Sequence, residues 1–143
     1  MCFVGGTQIA TPEGRKSIGN IMKGDMVLAY DHKEDKVVET EVIDIKSYLS
    51  KELYVLTTID GKQIKGTKGH RFFVLGSAYL EIESIKPGQQ VMTKDMEFIE
   101  VKTIEKLDSK ETTVYDMSTA FGTYYVGDDK ILVRSGKNIT NAN

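Results

Sequence analysis

The sequence predicts an all-β domain made of two similar halves. Two observations carry this. Val, Ile, Thr, Tyr and Phe recur in short runs that Gly, Asp and Lys interrupt, which is the composition of strands joined by turns. A segment also occurs twice: Ile18-Gly19-Asn20-Ile21-Met22-Lys23-Gly24-Asp25-Met26-Val27 and Ile82-Glu83-Ser84-Ile85-Lys86-Pro87-Gly88-Gln89-Gln90-Val91 both read Ile-x-x-Ile-x-x-Gly-x-x-Val. A second echo follows in the same order. Val42-Ile43, Ser50-Lys51-Glu52 and Tyr54-Val55 match Val101 and Ile104, Ser109-Lys110-Glu111 and Val114-Tyr115. Two copies are too few for a solenoid, so the expectation is a duplicated β subdomain with pseudo-twofold symmetry.

Taken in order, the strand pattern predicts strands over Phe3–Ile9, Met26–Asp31, Val37–Tyr48, Leu53–Thr58, Gln63–Gly66 and Arg71–Leu75. Further strands are predicted over Tyr79–Ile82, Gln90–Thr93, Phe98–Leu107, Thr112–Met117, Tyr124–Val126 and Lys130–Val133. Asp60-Gly61 is a hairpin turn between two such runs. Ser17–Ile21 and Ile82–Ile85 read as single helical turns, too short to stand alone. The polar stretch Ser135–Asn143 reads as a frayed tail.

Composition narrows the function. The 143 residues fit one domain with a real core, and 40% hydrophobic with 28% charged residues is an ordinary globular composition. A net charge of −2 gives no electrostatic case for nucleic acid or an anionic membrane. No apolar run reaches membrane-spanning length, and the start lacks a signal-peptide pattern. One cysteine excludes an internal disulfide, and two histidines argue against a multi-histidine metal centre. The expectation is a monomer without metal. A free cysteine fits a reducing cytoplasm best.

The chemistry-bearing residues begin with Cys2. A thiol there can attack the carbonyl just before it and turn an amide into a thioester. Thr67-Lys68-Gly69-His70 precedes the apolar strand Arg71–Leu75. A Thr and a His three apart on a glycine-containing bend can converge on one spot. The Thr hydroxyl and backbone N–H can hold a carbonyl oxygen, and the imidazole can protonate a departing amide nitrogen. Taken alone the pair is more often structural; beside Cys2 the functional reading prevails. Asp116, inside the apolar run Val114-Tyr115-Asp116-Met117, is a partly buried carboxylate or the solvent-facing phase of a strand. His32 lies in the charged turn Asp31-His32-Lys33-Glu34-Asp35 and reads as a surface histidine.

These residues together resemble the Hint superfamily of inteins, bacterial intein-like domains and Hedgehog autoprocessing domains. The match comprises Cys2-Phe3 with Thr7-x-Ile9-x-Thr11-x-x-Gly14, then Ile18 and Ile21-x-x-Gly24-Asp25-x-Val27. It continues through Thr67-x-x-His70, Val114-Tyr115-Asp116, Tyr125-Val126-Gly127 and Ile131-Leu132-Val133. The resemblance runs from Cys2 to about Val133. It implies a horseshoe-shaped all-β fold over residues 2–135, without a homing endonuclease insert, and a tail or flank over 136–143. It also implies self-catalysed peptide rearrangement in cis, without a cofactor, with polypeptides fused at both ends as partners. By the same resemblance Cys2 is the nucleophile of an N-to-S acyl shift. Thr67 and His70 strain and protonate the scissile amide, and Asp116 assists coupling between the two cleavage sites.

The end departs from the family pattern. Inteins finish with His-Asn after an apolar strand, and the Asn amide cyclises to release the C-terminal flank. Here Arg134-Ser135 follows Ile131-Leu132-Val133, and Thr123 or a neighbour stands where an earlier histidine is usual. Serine cannot form a succinimide. A displaced end falls on Asn138 or Asn141; Asn141 precedes Ala142, which offers no nucleophile, and both asparagines are otherwise plain tail residues. Two other classes stay open: an inert Hint-fold interaction module, and a cysteine protease or amidase acting in trans.

Overall fold

The computed structural model describes residues 2–135. The chain forms twelve strands among them: β1 Phe3–Val4, β2 Gln8–Thr11, β3 Gly14–Ser17, β4 Met26–Asp31, β5 Lys36–Thr58 and β6 Gln63–Gly66. The rest are β7 Arg71–Val74, β8 Ala78–Glu81, β9 Gln90–Met92, β10 Phe98–Thr119, β11 Thr123–Val126 and β12 Ile131–Arg134. Two 3-10 turns, Ile18–Asn20 and Ile82–Ser84, are the only helical elements among the described residues. The strands join antiparallel in the order β3-β2-β11-β12-β7-β9-β10-β1-β6-β5-β4, with β8 beside β7 and a further β10–β5 pairing.

Several strand ends shift by one or two residues, and four larger differences from the sequence expectation each have a local reason. The strand expected over Phe3–Ile9 splits at Gly5-Gly6, where Thr7 N–H turns back to Val4 O (3.0 Å). β3 carries no apolar alternation and lies exposed at the sheet edge, so only its pairing with β2 makes it a strand. The two strands expected on either side of Ser50 are one, β5. Opposite the register shift in β10, Ser50 Oγ donates to Glu52 O (2.9 Å) and accepts from Glu52 N–H (3.3 Å). β10 likewise runs through Ser109-Lys110-Glu111, absorbing them as a register shift between Asp108 and Thr112.

The duplication is visible in hydrogen bonds. Ile18 N–H donates to Thr7 O (2.8 Å) and Ile82 N–H to His70 O (2.7 Å). Met22 N–H meets the Asp25 side chain and Lys86 N–H the Gln89 side chain, both at 2.8 Å. Gly24 N–H donates to Val42 O and Gly88 N–H to Val101 O, at 2.8 and 2.9 Å. Gly24 and Gly88 share φ +95°, a left-handed reversal that favours glycine. Ile59 N–H reaches Glu100 O and Ala120 N–H reaches Glu41 O, so each half supplies the other's partner. One core cluster draws Ile9, Ile18, Val42 and Leu56 from the first half and Phe72, Ile82, Val101 and Met117 from the second.

This architecture positions the N-terminal segment. β1 is threaded between β10 and β6, with Phe3 opposite Tyr115 on one side and Gly66 on the other. Phe3 is fully buried, so the two-residue strand is anchored by its side chain as well as by its ladder.

Candidate active site

The β1–β6 register brings the Thr67–His70 loop alongside Cys2. Thr67 grips both backbone groups of that residue. Cys2 N–H donates to Thr67 Oγ1 at 2.7 Å, and Thr67 N–H donates to Cys2 O at 2.8 Å. The loop is held in turn: His70 N–H donates to Thr67 O (3.4 Å), and Gly69 N–H to Glu83 Oε1 (2.8 Å). Thr67 was expected to cradle the upstream carbonyl oxygen. In this arrangement its hydroxyl takes the Cys2 N–H, and its own N–H goes to the Cys2 carbonyl.

His70 is fully buried, with its ring 4.0 Å from that of Phe3, centre to centre, and 6.3 Å from that of Tyr124. The residue following Cys2 therefore packs directly on the candidate acid. The Cys2 side chain is buried against Leu53, Val114 and Val4. Burial pushes its thiol above the ordinary value, and the negative charge of Asp116 adds to the rise. Extending the Phe3–Tyr115 register by one pair sets Asp116 across from Cys2. Asp116 is half-buried, as the first of its two sequence readings held. Cys2, Thr67, Lys68 and Asp116 share a cleft of about 490 Å³ whose lip carries the exposed Tyr48 and Leu49. Of the residues singled out from sequence, Cys2, Thr67 and Asp116 thus share one cleft, and His70 packs on Phe3, next in the chain to Cys2.

The others stand apart. His32 is exposed, as expected, and its Nε2 lies 2.8 Å from Tyr79 Oη. Thr123 is buried, its hydroxyl accepting from Tyr30 N–H (3.0 Å) and donating to Tyr30 O (3.2 Å). Ser135 is buried and tied down: its N–H donates to Gly122 O (2.8 Å), and its Oγ accepts from Thr119 N–H (3.3 Å). Arg134 lies over the Tyr79 ring at 5.4 Å. Asn138 and Asn141 lie outside the described residues.

Two residues of the site were missed from sequence. Glu83, which fixes the Gly69 amide, had a signal: it replaces Gly19 in the otherwise parallel repeat. Gly19 N–H bonds to Gly5 O (3.1 Å), whereas Glu83 makes the corresponding closure with a side chain. Tyr124 had none, sitting in an apolar strand like any core residue. Among the described residues no group of three or more His, Cys, Asp or Glu could hold a metal, and no helix is long and apolar enough to cross a membrane.

An all-β duplicated sheet with a buried cysteine gripped at its amide by a Thr-x-x-His loop defines a Hint-type autoprocessing domain. The Pretoxin HINT domain model matches residues 8–140, and the chain belongs to that family. A bacterial intein-like domain from Clostridium thermocellum is 31% identical, with a TM-score of 0.89 over 94% of this chain and 98% of that one. The gp41-1 intein is 28% identical, with a TM-score of 0.77 over 94% and 98%. A DnaB intein from Synechocystis, 18% identical with a TM-score of 0.79 over 95% and 99%, shares the fold. Warthog protein 1 of Caenorhabditis elegans is 31% identical over 151 residues, which cover 99% of this chain; the chain spans 30% of that protein's length. Intein-like domains of this kind are embedded within host polypeptides.

Proposed function

We propose that the domain cleaves the peptide bond preceding Cys2 by an N-to-S acyl shift, with residues 2–135 as the reacting unit. The observation that carries this reading is the grip of Thr67 on both backbone groups of Cys2, beside the buried thiol. Cys2 Sγ attacks the upstream carbonyl carbon. The S–C bond forms as the C–N bond breaks, and hydrogen passes in net from sulfur to nitrogen. No oxidant or cofactor enters the balance. His70 supplies the proton that makes the amide nitrogen a competent leaving group. Thr67 Oγ1 accepts a hydrogen bond from that nitrogen already, and the bond strengthens as the nitrogen becomes a charged amine. Asp116 holds charge opposite the nucleophile. The thioester then goes to water or to an external thiol or amine, releasing the N-terminal flank. Ser135 lacks the carboxamide needed to release a C-terminal flank.

Intact mass spectrometry of a fusion tests this, with one soluble protein placed ahead of Cys2 and another after Asn143. The expected result is release of the N-terminal protein, faster with added thiol. Cys2→Ala abolishes the release, and cleavage surviving that change overturns the assignment. His70→Ala slows it by about 10²–10⁴-fold, and Thr67→Ala, which loses a hydrogen bond to a nitrogen gaining charge, slows it by about 10–100-fold. A ligated product lacking the domain assigns the C-terminal step to Asn138 or Asn141.

A further inference from the structure

Tyr124 lies fully buried on β11, against the touching rings of Phe3 and His70. Its ring stands edge-on to Phe3 (6.3 Å, 87°) and to His70 (6.3 Å, 83°). Its hydroxyl is buried and has no hydrogen-bond partner among the described residues. Leaving such a donor unsatisfied is costly, and phenylalanine at the same position would avoid that cost. An orphaned donor inside a well-packed core is therefore a question about function.

Its surroundings answer that question. The charges that bear on the hydroxyl are Asp116, on β10, and Cys2, just ahead of β1. Lys68 shares the cleft of those two, Glu52 lies on its β5 wall, and His70 faces the Tyr124 ring. Burial first, then the negative charges of Asp116 and Cys2, push the phenol far above its ordinary value, so it remains a neutral O–H donor. A neutral thiol and a neutral amide ask little of such a donor. A thiolate, or the oxyanion of a tetrahedral intermediate, asks for one.

We propose that Tyr124 is a further catalytic residue: its hydroxyl waits unsatisfied in the resting domain and hydrogen-bonds the Cys2 thiolate that opens the acyl shift. This rests on the cleavage reading above. The donor is fixed in place before reaction, so it meets the thiolate without reorganisation. Tyr125 provides the internal control. Its hydroxyl is equally buried and orphaned, but it packs with Tyr30, Met92 and Leu132 in a second cluster, away from Cys2.

The test compares Tyr124→Phe and Tyr125→Phe in the same N-terminal fusion. It uses three readouts: cleavage rate, melting temperature and the Cys2 titration by NMR of ¹³Cβ-labelled cysteine, the single cysteine of the chain. Tyr124→Phe is expected to fold with an unchanged or higher melting temperature, cleave at least tenfold more slowly and titrate Cys2 at higher pH. Tyr125→Phe is expected to leave rate and titration as they were. Unchanged rate and titration in Tyr124→Phe overturn the proposal, and so does a slower rate with an unchanged titration. If the unmodified fusion does not cleave at all, the cleavage reading falls, and the titration alone decides for or against Tyr124.

Discussion

At the scale of single residues, the site pits a buried thiol against a nearby carboxylate. Burial and Asp116 both hold the Cys2 thiol protonated at neutral pH. Below its titration point the reactive thiolate fraction rises about tenfold per pH unit. Thiol-induced cleavage should therefore accelerate from pH 6 to pH 8. Asp116→Asn removes the contribution from the charge and leaves that from burial, so the Cys2 titration should move to lower pH. NMR titration of the labelled cysteine in the unmodified and Asp116→Asn chains checks this; an unmoved or raised titration would show that the carboxylate does not act on the thiol. These residues were legible in the sequence because thiol, imidazole and carboxylate advertise their chemistry wherever they stand. The atom that Thr67 touches was not legible. The β1–β6 register decides it, and a one-residue slip would present a different backbone group.

At the scale of elements, the repeated unit is a 3-10 turn closed by a glycine reversal. Ile21 N–H returns to Ile18 O (3.2 Å) and Ile85 N–H to Ile82 O (3.3 Å), and each turn hands the chain to a strand through Gly24 or Gly88. A Cβ at either glycine would meet no atom within 4 Å, so substitution there isolates the backbone cost. Gly24→Ala and Gly88→Ala should each cost about 1–2 kcal/mol. For a chain of this size that lowers the melting temperature by roughly 3–8 °C. Thermal unfolding should give near-equal losses for the two, since the turns match in geometry; a loss confined to one would mean that the halves bear on stability unequally. Both turns were legible because they are punctuated by Gly and anchored by paired isoleucines. The continuity of β5 and β10 was not, because polar residues at a register shift resemble a loop unless their pairing is seen.

At the scale of the whole molecule, the two halves do not sit side by side as separate bodies. β5 and β10 pair from Thr58↔Val101 through to Val42↔Thr119, so each half completes the other's sheet. β2 of the first half pairs with β11 of the second, and β1 enters only where β6 and β10 meet. A duplication read from sequence alone leaves open whether the copies fold independently; this interleaving gives a single folding unit. The amides of Ile18 and Ile82 are the sharpest probes. They are pseudo-twofold mates, both buried, and they bond to Thr7 and His70. In native-state hydrogen exchange both should report the same free energy, that of global unfolding. Leu56 is fully buried in the shared core, paired with Ile104 of β10 and Ile64 of β6. Leu56→Ala should remove about 2–5 kcal/mol, and the loss should appear equally at Ile18 and Ile82, although Leu56 belongs to the first half. A loss seen only at Ile18 would mean that the first half opens alone. In that event Cys2 could leave the Thr67–His70 loop without global unfolding, and the grip on its backbone would be a transient contact rather than a property of the fold.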